Sequence, residues 1–355
     1  MVIKLFNLDL HVSVIEDVKD IAQRLFGSQI EITNWSISEH NWVFNKPYPP
    51  ITPYCPITQE TWKGISPELV KIFQSQYDKY LEQFDGFIVT HTPVFCMLYE
   101  KYKKPILCVN SCRFNQPFCW NKNKDHEKWL IEGLRRMIET KQLNIISNNK
   151  ADEKYLLHKT GIQSLHLPSL CLYTKESYNP TKPFFIVQGD RSKIPENSLI
   201  LSKPDKHSWK ELYEYKGIIH FPYEMSTMSI FEQLFAGVPL FFPTPAFYSE
   251  CIENKSMSFI SPYDKWSEGI NQDDFLYWVE KADFYNFPFF IYYNSWEDLF
   301  QKVSSFQDSP ERFVWLEEVK RNVLGAWKEI FQKVFPVLNN TPSYVTSSPN
   351  NSHSS

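Results

Sequence analysis

Glycine is scarce in this chain, 10 residues in 355, and the first strand-to-helix turn reads Asp9-Leu-His11-Val-Ser13. The G-x-G-x-x-G fingerprint that lets a Rossmann oxidoreductase approach a dinucleotide is missing from the place where it would stand, so that class is disfavoured. No apolar run reaches the ~18 to 20 residues of a membrane-spanning helix, and no transmembrane segment is expected. Met1-Val-Ile-Lys-Leu-Phe lacks the charged and apolar regions of a cleavable leader and reads as a buried strand. Charge of one sign is also lacking: 37 Lys and Arg stand against 41 Asp and Glu, interspersed, for a net charge of −4. A nucleic-acid partner is therefore not expected.

Cysteine is present without a pattern. Seven residues, an odd number scattered through a long chain, argue for reduced thiols in a cytosol-like compartment, and a cytoplasmic location is the expectation. Cys108, Cys112 and Cys119, with His126 nearby, match no zinc-finger or ribbon spacing, so no metal is expected. The sequons Asn34-Trp-Ser36 and Asn339-Asn-Thr341 carry little weight without a secretory signal.

What is there is an α/β pattern. Hydrophobic residues make up 43% and aromatics 16% of a chain long enough for two domains. Val2 to Leu10 reads as a strand, the stretch holding Glu16, Ile21 and Leu25 as a helix stopped by Gly27, and Gln29–Trp35 as a second strand. That βαβ opening implies a parallel sheet. Residues 36–62 are irregular and rich in proline and aromatics, Trp42 among them, a loop long enough to suggest function. Alternation continues with a helix over Pro67–Phe84, a strand from Asp85 into Thr90-His91-Thr92, a helix over Val94–Tyr102, a strand over Pro105–Asn110, a helix over His126–Glu139 and a strand over Leu143–Ser147. Polar Thr174–Lys182 marks a boundary. The expected organisation is a Rossmann-like domain over 1–174, a second over 183–338, and a Ser-, Asn- and Thr-rich disordered tail over 339–355. Within the second domain a strand at Phe259-Ile260 and helical pieces around Asp273–Lys281 are expected.

The most informative stretch is 217–244. Gly217-Ile-Ile is a short buried strand, and His220-Phe-Pro-Tyr223 is the loop after it. Ser226 or Thr227 is placed to cap a helix, and Ser229-Ile-Phe-Glu232 has the form of a capping box. Met228, Phe231, Leu234 and Phe235 form one apolar stripe, and Gly237 with Pro239 ends the helix before another strand. The bland reading is an ordinary capped helix with solvated glutamates. The helix start, however, offers free N–H groups and a positive dipole end suited to a phosphate.

Glu224, seven residues, Glu232, then Ala236-Gly-Val-Pro239 resembles the donor-sugar motif of GT-B glycosyltransferases. The resemblance is confined to roughly 183–244. It implies two Rossmann-like domains across a cleft, with the nucleotide in the C-terminal one and the acceptor mainly in the N-terminal one. It further implies that Glu224 touches the donor sugar, that Glu232 contacts its ribose, and that the helix start with Ser226, Thr227, His220 and Tyr223 surrounds the diphosphate. Gly189-Asp190-Arg191-Ser-Lys193 is similar to the family's phosphate-binding Gly-Arg segment, with Asp190 intervening, which makes Arg191 and Lys193 donor-binding candidates. In some inverting members a histidine after the first strand is the general base. His11 stands there, with Asp9 on the same strand face to orient it, and His91 is the competing base. A paired-glutamate motif is more typical of retaining members, so the stereochemistry stays open.

The expectation is a metal-independent transferase with no cofactor, moving a sugar from a nucleoside diphosphate to a hydroxyl of a glycan, lipid or protein, with Trp42 and its loop on the acceptor side. A nucleotide-sugar epimerase of the same shape and a non-catalytic sugar- or nucleotide-binding protein are the rivals.

Overall fold

The computed structural model describes residues 2–47, 49, 55–255, 257 and 277–340. Two parallel sheets organise it. The first runs in the order β2-β1-β3-β4-β5-β6, from β1 (Ile3–Asp9), β2 (Ile30–Ser36), β3 (Gly86–His91), β4 (Ile106–Asn110), β5 (Leu143–Ser147) and β6 (Leu165–His166). The second runs β11-β10-β9-β7-β8, from β7 (Lys182–Gln188), β8 (Ile200–Ser202), β9 (Tyr215–His220), β10 (Leu240–Pro243) and β11 (Ile291–Tyr293). Every pairing is parallel. This is the α/β architecture of two Rossmann-like halves that strand–helix alternation predicts.

Both sheets reverse their winding at an internal point, between β1 and β3 in the first and between β7 and β9 in the second. Open α/β sheets bind ligands outside the carboxyl ends of their strands at such reversals. The loops after β1, β3, β7 and β9 are thus singled out by topology alone.

The helices follow the sequence pattern with local exceptions. They are α1 (Val12–Phe26), α2 (Pro67–Leu81), α3 (Phe118–Asn121), α4 (Lys124–Glu139), α5 (Lys150–Thr160), α6 (Trp209–Leu212), α7 (Met228–Ala236), α8 (Pro245–Glu253), α9 (Trp296–Ser304) and α10 (Pro310–Val334). The helix expected over Val94–Tyr102 is instead two 3-10 turns, Pro93–Leu98 and Glu100–Tyr102. α6, capped by Ser208, stops at Leu212, and Tyr215 already pairs with Lys182 as the start of β9. The strand expected at Phe259-Ile260 and the start of the helical segment near Asp273 lie outside the described residues, as does the tail beyond residue 340.

The long α10 returns from the second sheet to the first domain. Phe331, fully buried, sets its ring 5.6 Å from Phe26 of α1. Just beyond it, Phe335 lies so close to Gly86 that a Cβ there would stand 2.6 Å from its Cε1. Only a glycine at the head of β3 admits the helix end at that distance.

Candidate functional site

The loops at the strand ends of both sheets enclose a cleft of about 700 Å³. Its N-terminal wall comes from His11 after β1, His91 at the end of β3, Cys112 and Arg113 after β4, and Asn148 after β5 with Asp152 in the first turn of α5. The facing wall is Gln188 at the end of β7, then Tyr223, Glu224, Ser226, Thr227, Ser229 and Glu232 around the start of α7.

The start of α7 is open. Thr227 occupies the N-cap position in extended conformation, yet its side chain does not cap the helix; its Oγ1 lies 3.1 Å from Ser229 Oγ instead. The expected capping box therefore does not form, since the helix begins at Met228 and Ser229 lies inside it. Because Ser226, Thr227, Met228 and Ser229 all border the cleft, the positive end of the helix faces it. The helix body agrees with the sequence: Met228, Phe231, Leu234 and Phe235 are buried, and Gly237 closes it at φ +88°.

Across the cleft, His11 takes the N-cap position of α1 with no side-chain hydrogen bond to the helix. Its ring stacks on His91 at 5.9 Å and 17°, and no hydrogen bond reaches its buried Nδ1 among the described residues. Burial, with a smaller contribution from His40, lowers its pKa to about 4, so the ring is neutral at physiological pH. His91 is held at φ +73°, a left-handed conformation that non-glycine residues rarely adopt. Its Nδ1 is 3.5 Å from Cys112 Sγ, and burial lowers its pKa to about 3. Burial also keeps Cys112 a thiol, far from a nucleophilic thiolate. His126, the histidine of the scattered set, lies against Asn123 at 3.0 Å.

Asp9 does not orient His11. It accepts from Asn34 Nδ2 at 2.7 Å and Ser36 Oγ at 2.8 Å, both on β2. The reason is register: Asp9 is the last residue of β1 and pairs with Ser36, and the face alternation ends before His11. Burial pushes its pKa up to about 6.

The two glutamates of the motif are both engaged. Glu224 receives a two-pronged pair from Arg113, with Nη1 at 2.7 Å and Nη2 at 2.8 Å, and its Oε1 also accepts from the Met225 N–H at 2.9 Å. Glu232 accepts from the Tyr173 hydroxyl at 2.6 Å and from Trp209 Nε1 at 3.1 Å. Burial raises its pKa against those bonds. Each of its oxygens keeps acceptor capacity, and the residue still borders the cleft.

The sequence matches no family model, and no curated protein matches it closely enough to count as a relative. Solved structures are similar at low identity. The glycotransferase of kitacinnamycin aligns over 94% of this chain and 98% of its own at 9% identity and a TM-score of 0.45. The spinosyn rhamnosyltransferase complexed with thymidine diphosphate aligns over 92% and 99% at 9% identity and 0.44. The UDP-GlcNAc 2-epimerase from Methanocaldococcus jannaschii aligns over 86% and 99% at 10% identity and 0.42. Similarity of that degree leaves the chemistry to be read from this chain's own residues.

Three expected donor residues lie elsewhere. His220 is a core residue, 3% exposed, with Nε2 2.7 Å from Gln233 Oε1 and its ring stacked on Phe242 at 4.7 Å. It still belongs to β9, where it pairs with Gln188, so its side chain takes a sheet face and not the loop. Arg191 donates to the carbonyls of Ile194 at 2.8 Å and Ile200 at 3.1 Å, folding onto its own loop, and Lys193 is exposed outside the cleft lining. In the N-terminal half, Trp42 is 70% exposed and also outside the lining. The tryptophans that do border the cleft are Trp62 and Trp120, edge to face at 5.6 Å. Sequence reasoning missed them along with Arg113. The signal available for Arg113 was its position just past a buried strand, Pro105–Asn110.

Burial lowers the pKa of His220 from 6.5 to about 4. A base depressed in the fold contributes stability that is complete above the unfolded value and is lost as pH falls from 6.5 toward 4, because the unfolded chain then binds the extra proton. In urea titrations between pH 6 and 5, His220→Asn should therefore flatten the pH dependence of stability by about 1.4 kcal/mol per pH unit. An unchanged slope would mean that this imidazole titrates freely in the folded protein.

Proposed function

We propose that the protein is a glycosyltransferase that moves a sugar from a nucleoside diphosphate to an acceptor hydroxyl. The observation that carries this reading is the open N-terminus of α7 facing a neutral, buried His11 across one cleft. A helix end with nearby hydroxyls holds a diphosphate without a metal ion, which makes the reaction metal-independent and free of a resident cofactor. Ser226, Thr227 and Ser229 contact the donor phosphates, Glu232 the ribose and Glu224 the sugar. The His11 imidazole takes the proton of the attacking hydroxyl, as a neutral imidazole can, and a base in that role implies inversion at the anomeric carbon. Trp62 and Trp120 offer apolar faces to a sugar ring. The acceptor belongs to a glycan, lipid or protein, and the seven free thiols fit a reducing, cytoplasmic setting. Among the described residues no helix is long and apolar enough to cross a membrane.

Thermal shifts with UDP, GDP, CMP and TDP and their sugar conjugates provide the first test. A ligand at a hundred times its Kd should stabilise the fold by roughly 2.7 kcal/mol. The base that shifts the transition then selects donors for assays of nucleoside diphosphate release. Release only when an acceptor is present supports the transferase. Interconversion of free nucleotide sugar points to an epimerase, and binding without release points to a non-catalytic protein. No shift with any nucleotide overturns the reading.

A further inference from the structure

The positive charge of the cleft comes from an unexpected domain. Among the described residues that line it, the cationic side chains are Arg113 and Lys63, both from the N-terminal half, and Lys63 is exposed. Arg113 is 5% exposed. Its two terminal nitrogens grip Glu224, 111 positions away on the opposite wall. Glu224 stands three residues before the N-cap of α7, so the pair lies beside the helix end that faces the cleft.

A guanidinium fork fits a carboxylate and a phosphate with the same two-bond geometry. A buried cation without an anion is costly, so an empty site is stable only if the protein supplies one. We propose that Glu224 is an internal stand-in for a ligand's diphosphate, and that Arg113 exchanges Glu224 for that diphosphate, releasing the carboxylate toward the sugar. The exchange keeps Arg113 paired at every stage. It also lets binding at the phosphate present Glu224 to the donor. This inference rests on the nucleotide-sugar reading and adds to it the residue that recognises the leaving group and the contact that guards it.

The test is calorimetric binding of inorganic pyrophosphate, UDP and GDP to the intact protein and to Glu224→Gln, Arg113→Gln and Arg113→Lys. Removing an internal competitor raises the competent fraction, so Glu224→Gln should bind pyrophosphate and the preferred nucleotide about tenfold more tightly. Arg113→Gln should bind them at least about tenfold more weakly, with Arg113→Lys between. If Glu224→Gln does not fold, Glu224→Asp, one methylene short of the fork, should shift affinity in the same direction. Weaker or unchanged binding in the folded Glu224 variant overturns the exchange and makes the pair a plain link between domains. Nucleotide binding without that tightening overturns the exchange alone. Tightened pyrophosphate binding with no nucleotide binding keeps the exchange and overturns the nucleotide-sugar reading.

Discussion

Replacing His11 by alanine should lower sugar transfer by about 10²- to 10⁴-fold, the range contributed by a positioned general base, with little change in nucleoside diphosphate affinity. The loss should fall on turnover because His11 lies on the wall opposite α7. Its side chain makes no capping bond to α1, so the variant should fold, and circular dichroism with a melting curve checks that. His11→Gln supplies a second variant closer in volume. The pH dependence provides an independent reading. With its pKa lowered to about 4 by burial, the imidazole is neutral and competent above that value and is protonated below it. The acid limb of kcat/KM should therefore lie near pH 4 in place of the ordinary 6.5. Turnover that survives both substitutions would remove His11 from the chemistry and leave His91, stacked behind it, as the base to test.

The second large effect concerns α10. Phe331→Ala should cost about 3–5 kcal/mol, the range for deleting a buried phenylalanine ring, read as a fall in the urea midpoint at constant slope. The ring is fully buried, packed on Trp327 at 5.7 Å of its own helix and on Phe26 at 5.6 Å of the first domain. The cavity would open where α10 meets α1, and the surrounding rings are too large to collapse into it cheaply. A loss under about 1 kcal/mol, the scale of an exposed substitution, would show that the helix does not carry this contact in solution.

Local order was legible because its causes are local. The strand-to-helix alternation, the apolar stripe of α7 and the stop at Gly237 arise from periodicity and backbone preference within about twenty residues, and all appear in the structure. So does the placement of His11 and Glu224 at strand ends that share one cleft, since parallel sheets gather their carboxyl-end loops on one side. Strand ends were harder. His220 reads as a loop residue, but β9 runs through it, and the parity of a strand, fixed only by its neighbours, turned it into the core. Asp9 went to β2 for the same reason.

What the sequence determined by itself is the α/β class, two parallel sheets and a helix starting just after Thr227, since each follows from residue types at short spacing. What only the tertiary structure decided is how the charges pair. Arg113 meets Glu224, Tyr173 and Trp209 meet Glu232, and Arg191 turns back to its own loop. Ion pairs and hydrogen bonds act over a few ångströms between groups that can be more than a hundred residues apart, so their partners are set by how the domains pack and leave no spacing in the chain to read.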